Sequence, residues 1–150
     1  MRKLLLTTLG FGIAFAAHPA PARADFGLGL FIGNPTGLDL KIGLSTRHSL
    51  DVVLGIDTFR DGHVDYGHLT YLVTPLVTHG ESVLVPIRFG IGAAVYGDSD
   101  NVNIGVRAPF ELAIRMRSAP LEFYGEIALL FTLNDTDFSL QGGGGLRLFF

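Results

Sequence analysis

Residues 102–116 read VNIGVRAPFELAIRM. The even positions, Val102, Ile104, Val106, Ala108, Phe110, Leu112, Ile114 and Met116, are all apolar. The odd positions, Asn103, Gly105, Arg107, Pro109, Glu111, Ala113 and Arg115, are polar, charged or small. A period of two held over this length specifies a β-strand whose two faces meet different surroundings. One such strand cannot shelter either face alone, so the rest of the chain must supply neighbours of the same kind.

It does so repeatedly. Strands are predicted at 26–32, 38–44, 50–59, 68–77, 83–96, 102–116, 121–133 and 138–150. The segment Gly33-Asn34-Pro35-Thr36-Gly37 is a turn, because Pro presets φ and Gly tolerates positive φ. Residues 45–49, 78–82, 97–101, 118–120 and 134–137 supply further short connections, and 60–67 is the longest. Leu72 and Leu76 blur the alternation of the fourth strand. Residues 25–150 allow about 16 residues per strand and connection, and a tilted membrane strand needs roughly 9–11 of these. The expected fold class is all-β, an eight-stranded antiparallel up-and-down transmembrane β-barrel.

Alternation is symmetric, so further observations must decide which face is inside. The apolar set is bulkier than an eight-stranded barrel can enclose. Glycine gathers on the polar face, at positions 27, 29, 43, 55, 90, 92, 105, 143 and 145, with only 125, 142 and 144 on the other. Small residues belong where space is short. The polar face also carries charges of both signs, as an enclosed interior requires. The apolar face is therefore expected to meet lipid and the polar face to line the lumen.

The lumen is expected to hold an ion-pair network of Lys41, Asp51, Arg88, Arg107, Glu111, Arg115, Arg117, Glu122, Glu126 and Arg147. Folding the sixth and seventh strands about 118–121 sets Arg117 opposite Glu122 and Arg115 diagonal to Glu126. Folding the fifth onto the sixth sets Arg88 opposite Glu111, and Lys41 falls beside Asp51. A structural plug of ion pairs is the favoured reading over a proton or ion path. Pro75 and Pro86 flank one turn and should lie side by side. A closed barrel has no free edge, so Pro109 is expected at a bulge or at the rim.

Residues 1–24 read as a cleaved secretory signal peptide. Arg2 and Lys3 open it, 4–17 is its apolar run, and Ala22-Arg23-Ala24 is a small-x-small cleavage site. The domain organisation is thus 1–24 signal peptide and 25–150 barrel. Of the chain's 11 basic and 14 acidic residues, the leader takes Arg2, Lys3 and Arg23 and no acid. The mature chain is strongly acidic, which argues against nucleic-acid binding. There is no cysteine, hence no disulfide framework and no thiolate metal site. No cofactor is expected.

The chain closes on Leu146-Arg147-Leu148-Phe149-Phe150. Leu146, Leu148 and the final Phe150 alternate in a way that resembles the C-terminal recognition signal of bacterial outer-membrane barrels. The mature chain as a whole resembles the small eight-stranded barrels of the OmpX and OmpA transmembrane-domain type. That resemblance implies a bacterial outer-membrane location and delivery by the barrel-assembly machinery. It also implies contact with outer-membrane lipid and lipopolysaccharide, a monomeric state and both termini in the periplasm. The connections at 33–37, 60–67, 97–101 and 134–137 would then lie outside. Unlike the OmpA type, no periplasmic domain is expected after the last strand. The function expected is a structural or envelope-integrity role. The alternative is surface binding through the 60–67 loop, with Asp61, His63, Asp65 and Tyr66 as contacts. A narrow channel or a lipid-modifying enzyme ranks lower.

Two stretches hold residue types that could carry chemistry. His48-Ser49 and Thr78-His79-Gly80-Glu81-Ser82 bring together the components of a nucleophilic site. Adjacent strand residues point to opposite faces, however, so no catalytic site is expected. His63 and His68 with Asp61 and Asp65 have no specific metal-ligand spacing, and no metal site is expected. Acidic residues in the outer connections are better explained by turn formation than by shared divalent cations. Ile114→Arg, at the centre of a face expected to meet lipid, should cost about 2–4 kcal/mol. Urea unfolding in lipid vesicles measures this, and an unaffected variant would mean the faces are reversed.

Overall fold

The structure, a computed structural model, describes residues 26–55, 66–97, 101–134 and 136–150. Eight strands follow one another: β1 (Phe26–Asn34), β2 (Gly37–Gly43), β3 (His48–Gly55), β4 (Tyr66–His79), β5 (Val83–Gly97), β6 (Val102–Met116), β7 (Leu121–Thr132) and β8 (Asp137–Phe149). Each pairs antiparallel with the next, and β8 returns to pair with β1, so the sheet is a closed up-and-down barrel. Closure leaves no strand edge open. The expected leader at 1–24, the end of the expected third strand at 56–59, and most of the 60–67 connection lie outside the described residues. Tyr66 and Gly67 belong to β4 rather than to a loop.

The alternation works inside-out relative to a water-soluble barrel. On β6, Arg107, Pro109, Glu111 and Ala113 are buried, while Val106, Leu112 and Ile114 are exposed. On β7, Glu122, Tyr124, Glu126, Ala128 and Leu130 are buried, while Phe123, Ile127 and Leu129 are exposed. Outward aromatic residues meet across strands. Phe89 faces Phe110 with ring centres 5.1 Å apart, and Phe131 faces Phe138 at 4.7 Å. Such cross-strand pairs help hold the register.

The inner glycines make room for inner aromatic rings. A Cβ on Gly145 would lie 2.3 Å from Cε1 of Tyr124, and one on Gly143 would lie 2.7 Å from Cζ of Phe31. Gly27 faces Phe149 in the same way, its added Cβ falling 3.1 Å from the ring. The β-barrel bore is narrow enough that a large inner side chain needs a bare backbone beside it.

β4 shows why its alternation looked blurred. Tyr66, His68, Thr70, Leu72 and Thr74 all point inward. The register against β5 then shifts by one residue between Val73 and Leu76, a β-bulge that contains Pro75. The extra residue inverts the parity of the positions beyond it. Leu72 is therefore fully buried in the barrel while Leu76 is 53% exposed outside it. The expectation that Pro75 and Pro86 lie side by side is corrected: Pro86 pairs with Val77 and is buried, whereas Pro75 sits in the bulge two residues away and is exposed.

Pro109 is a correction. It lies in mid-strand, in register, with no bulge and away from the rim. Its pairing with Ala128 on β7 is continuous. On the β5 side, paired positions run from Phe89–Phe110 to Gly92–Arg107 with the same register and nothing paired between. The ladder opens locally on the side that would have needed the missing N–H, and the barrel tolerates the gap without slipping. Pro86 interrupts the same β5–β6 ladder in the same way, between Leu84–Arg115 and Ile87–Leu112.

Gly145→Leu should overpack the Tyr124 ring and lower stability by about 1–3 kcal/mol. Gly125→Leu is the control, because an added Cβ there meets only the Gly143 carbonyl oxygen, at 4.0 Å. The two urea midpoints in one detergent should separate clearly.

Candidate functional site

The inward charges converge on one guanidinium. Arg147, on β8, has no solvent exposure. Its Nε donates to Asp39 Oδ2 at 2.6 Å, one terminal nitrogen donates to Glu111 Oε2 at 2.8 Å and Glu122 Oε1 at 3.2 Å, and the other donates to Asp51 Oδ1 at 2.8 Å. Its flat face lies over the Tyr124 ring, 3.6 Å from the centroid. The Tyr124 hydroxyl donates to Asp39 as well. Five strands thus meet at one cation: β2 (Asp39), β3 (Asp51), β6 (Glu111), β7 (Glu122, Tyr124) and β8. Guanidinium suits this position because its donors radiate in one plane and it stays charged when buried.

A second arginine shares the same acids. Arg88, on β5, donates to both carboxylate oxygens of Glu122, at 2.9 and 2.7 Å, and to Glu111. Lys41 Nζ stands 3.5 Å from Glu111 Oε1. Buried carboxylates alone would carry a large desolvation cost, and the shared cations offset it. The alternation puts each of these side chains indoors, and the register puts them at one level.

A neighbouring cluster surrounds Arg107. One of its nitrogens donates to Glu126 Oε1 at 2.5 Å, and the other donates to Thr70 Oγ1 at 3.1 Å and meets His68 Nε2 at 2.9 Å. An arginine can only donate, so toward Arg107 the His68 Nε2 accepts, with Asp51 Oδ2 3.7 Å from the same nitrogen, and the neutral tautomer that matches this contact carries its proton on Nδ1. That nitrogen faces the Tyr66 hydroxyl at 3.3 Å, which in turn donates to Gln141 Oε1 at 2.8 Å. Tyr66 also stacks on Tyr96, and the Tyr96 hydroxyl bonds Thr132.

Most of the expected network is brought together. Arg88 stands directly opposite Glu111 and Lys41 directly opposite Asp51. Lys41, Asp51, Arg88, Arg107, Glu111, Glu122, Glu126 and Arg147 are all buried. Three placements differ. The residue opposite Glu122 is Arg115, two positions from the expected Arg117, because the β6–β7 turn begins earlier than anticipated. Arg117 is exposed in that turn and donates from Nε to the Gly80 carbonyl at 3.1 Å. Arg115 is half-buried with its guanidinium 3.9 Å over the Phe149 ring, and the acid contacts of Glu126 run to Arg107 rather than to a diagonal Arg115.

The surface-loop expectation also changes. Tyr66 is 7% exposed and turned inward, so it is not a surface contact. Asp61, His63 and Asp65 lie outside the described residues. His68, considered from sequence as a metal ligand, is an inward member of the Arg107 cluster, and among the described residues no group of three or more His, Asp or Glu is arranged to hold a metal ion. Ser49 points inward while the His48 Nδ1 meets the Tyr71 hydroxyl at 2.6 Å on the opposite face. Leu146, Leu148 and Phe150 share the outward face, as their alternation required.

Asp39 and Tyr124 were not singled out from sequence, although their parity marked them. Asp39 falls on the inward set of β2 with Lys41, and Tyr124 on that of β7 with Glu122 and Glu126. What sequence could not supply was their convergence on Arg147, 108 residues away from Asp39 in the chain. Comparison with known proteins finds no matching family model, no matching characterised sequence and no matching solved structure.

Arg147→Met should cost about 3–5 kcal/mol, since it leaves Asp39 and Asp51 without their arginine and removes one of the cations shared by Glu111 and Glu122. Arg117→Met, in the exposed turn, should change stability by less than about 0.5 kcal/mol. Denaturant midpoints of the two variants, measured side by side, make the comparison.

Proposed function

We propose that this chain is a small bacterial outer-membrane β-barrel with a structural, envelope-integrity role and a plugged lumen. One observation carries the reading: the barrel's outer surface is apolar and its interior is charged. Ile91, Ile127, Leu129, Phe138 and Leu140 are each more than half exposed, while Arg107, Arg147, Glu111 and Glu122 are sealed inside. In water such an exterior would drive association, whereas in a bilayer it is the required solvent-facing surface. The strand lengths agree, since β5 and β6 have 15 residues each and a tilted membrane strand needs roughly 9–11.

The plugged lumen follows from the same side chains. The layer around Arg147 is made of buried, ion-paired side chains, so an ion would have to break charge-assisted hydrogen bonds to pass. Those bonds are among the stronger ones in proteins. A structural role accounts for this interior more simply than a channel does. No enzymatic activity is proposed. The partners proposed are outer-membrane lipid, lipopolysaccharide and, during biogenesis, the barrel-assembly machinery, with the mature protein a monomer. Binding through the 60–67 connection loses its favoured contact, because Tyr66 is an interior residue.

Expression of the full chain in a Gram-negative host tests the reading. The protein should fractionate with the outer membrane and migrate differently before and after boiling. In planar bilayers it should give no resolved single-channel current. Arg88→Ala and Glu111→Ala should lower the temperature of the migration change and still open no conductance. Monodisperse, detergent-free soluble protein would overturn the membrane placement. Large steady currents from a heat-modifiable barrel would overturn the plug. Deacylation of lipid A by the purified protein would overturn the non-enzymatic role.

A further inference from the structure

The end of the barrel that carries both termini opens into a cavity of about 940 Å³. The turns β2–β3, β4–β5 and β6–β7 form its rim, and the Arg88–Lys41 level forms its floor. Its charged lining is of one sign. Lys41, Arg47, Arg88, Arg115 and Arg117 border it, and among the described residues no Asp or Glu does. The acids that neutralise Arg88 lie deeper, around Arg147.

Two lining groups stand out independently of that charge. Lys41 and Ser49 are 4% and 7% exposed. Both line the cavity, and among the described residues neither Lys41 Nζ nor Ser49 Oγ makes a hydrogen bond. Among the described residues, the ion-pair contact of Lys41 is with Glu111, at 3.5 Å. Buried polar groups are rarely left this way, because an unmet donor gives up its bonds to water and gains none in return. An ammonium and a hydroxyl buried beneath the floor of one cavity are both donors suited to an oxygen-rich anion that reaches that floor. Arginines at the rim add planar forks that match phosphate oxygens.

We propose that this cavity binds a phosphate group, held by Lys41 and Ser49 at its floor and by Arg47, Arg115 and Arg117 at its rim. Phosphate fits better than a single carboxylate, since several cations converge and a dianion can meet more of them. The group can belong to a soluble phosphate ester or to the headgroup of a lipid whose acyl chains stay in the surrounding bilayer. The chemistry of the cavity is independent of the compartment it faces. Under the membrane placement proposed above, that compartment is the periplasm.

The test uses the full-length folded barrel in an uncharged maltoside detergent, which itself carries no phosphate. Inorganic phosphate, glycerol 3-phosphate and dihexanoyl phosphatidic acid are titrated at constant ionic strength, with chloride as the reference. Binding is read by calorimetry and by phosphorus-31 line broadening. Saturable binding of at least one phosphate probe is expected. Loss of one charged contact should weaken it on the order of tenfold in Lys41→Met. Ser49→Ala should weaken it less. Because Lys41→Met sits beside the interior network, the double variant Arg47→Gln/Arg117→Gln at the exposed rim serves as a fold-preserving second test, with weaker binding again expected. Tighter binding of phosphatidic acid than of glycerol 3-phosphate would assign the group to a lipid, and equal binding to a soluble ester. No saturable binding, or equal affinity in the wild type and in all folded variants, would overturn the proposal. So would displacement by chloride alone.

Discussion

A guanidinium buried among carboxylates is the constraint on which the rest of this barrel depends. Arg147 bonds to Asp39, Asp51, Glu111 and Glu122, which come from four other strands. Ionised carboxylates cannot be sealed away from water without such a partner, so each bond also fixes where its strand must stand. The network is therefore both a source of specificity and a filler. Shifting any of these strands by one residue would turn its carboxylate outward and leave Arg147 short of an acceptor. The aromatic face of Tyr124 completes the packing around the cation and gives the charge a polarisable wall.

The glycines answer the same constraint from the other side. An eight-stranded barrel has a narrow bore, and arginines, glutamates and tyrosines must share it. Gly143 and Gly145 on β8, and Gly27 on β1, are the bare positions against which Phe31, Tyr124 and Phe149 lie. The bulk removed from the inner backbone reappears as side chains that reach the axis. On the outer face the opposite holds, and large side chains stand opposite one another across the strands, as in the ring pair Phe89–Phe110.

The interior is graded along the barrel axis. The Tyr66–Gln141–Tyr96–Thr132 group lies at one end, Arg107 with Glu126 and His68 comes next, and the Arg147 layer follows. Beyond it the barrel opens into a cavity whose charged lining, among the described residues, is cationic. Lys41 and Arg88 at its floor are paired on their inner side with Glu111 and Glu122. The proposed structural plug and the proposed anion-accepting mouth are thus two readings of one arrangement of charges.

Strand number, antiparallel order and the sorting of residues into two faces were legible in the alternation, because a period of two encodes side-chain direction locally. Residues 102–116 carried that reading, and β6 has the same bounds in the structure. Glycine placement and the mixed charges of one face further indicated that the polar side is inside. The short-range pairings Lys41–Asp51 and Arg88–Glu111 were legible too, since turn length nearly sets register. Where turn length was misjudged, register slipped by two, and Arg115 rather than Arg117 came to face Glu122. The β4 bulge was hidden for a related reason: one extra residue at Pro75 exchanges the faces of Leu72 and Leu76, and local sequence shows only a lapse in pattern. The tertiary structure alone decided which inward groups meet. Closure of β8 onto β1 brings Arg147 to Asp39 and Asp51 from the far end of the chain, and tilt and stagger bring side chains together that no neighbouring pair of strands could. Alternation specifies a direction for every side chain, whereas the partner at the end of that direction depends on the shear of the closed barrel.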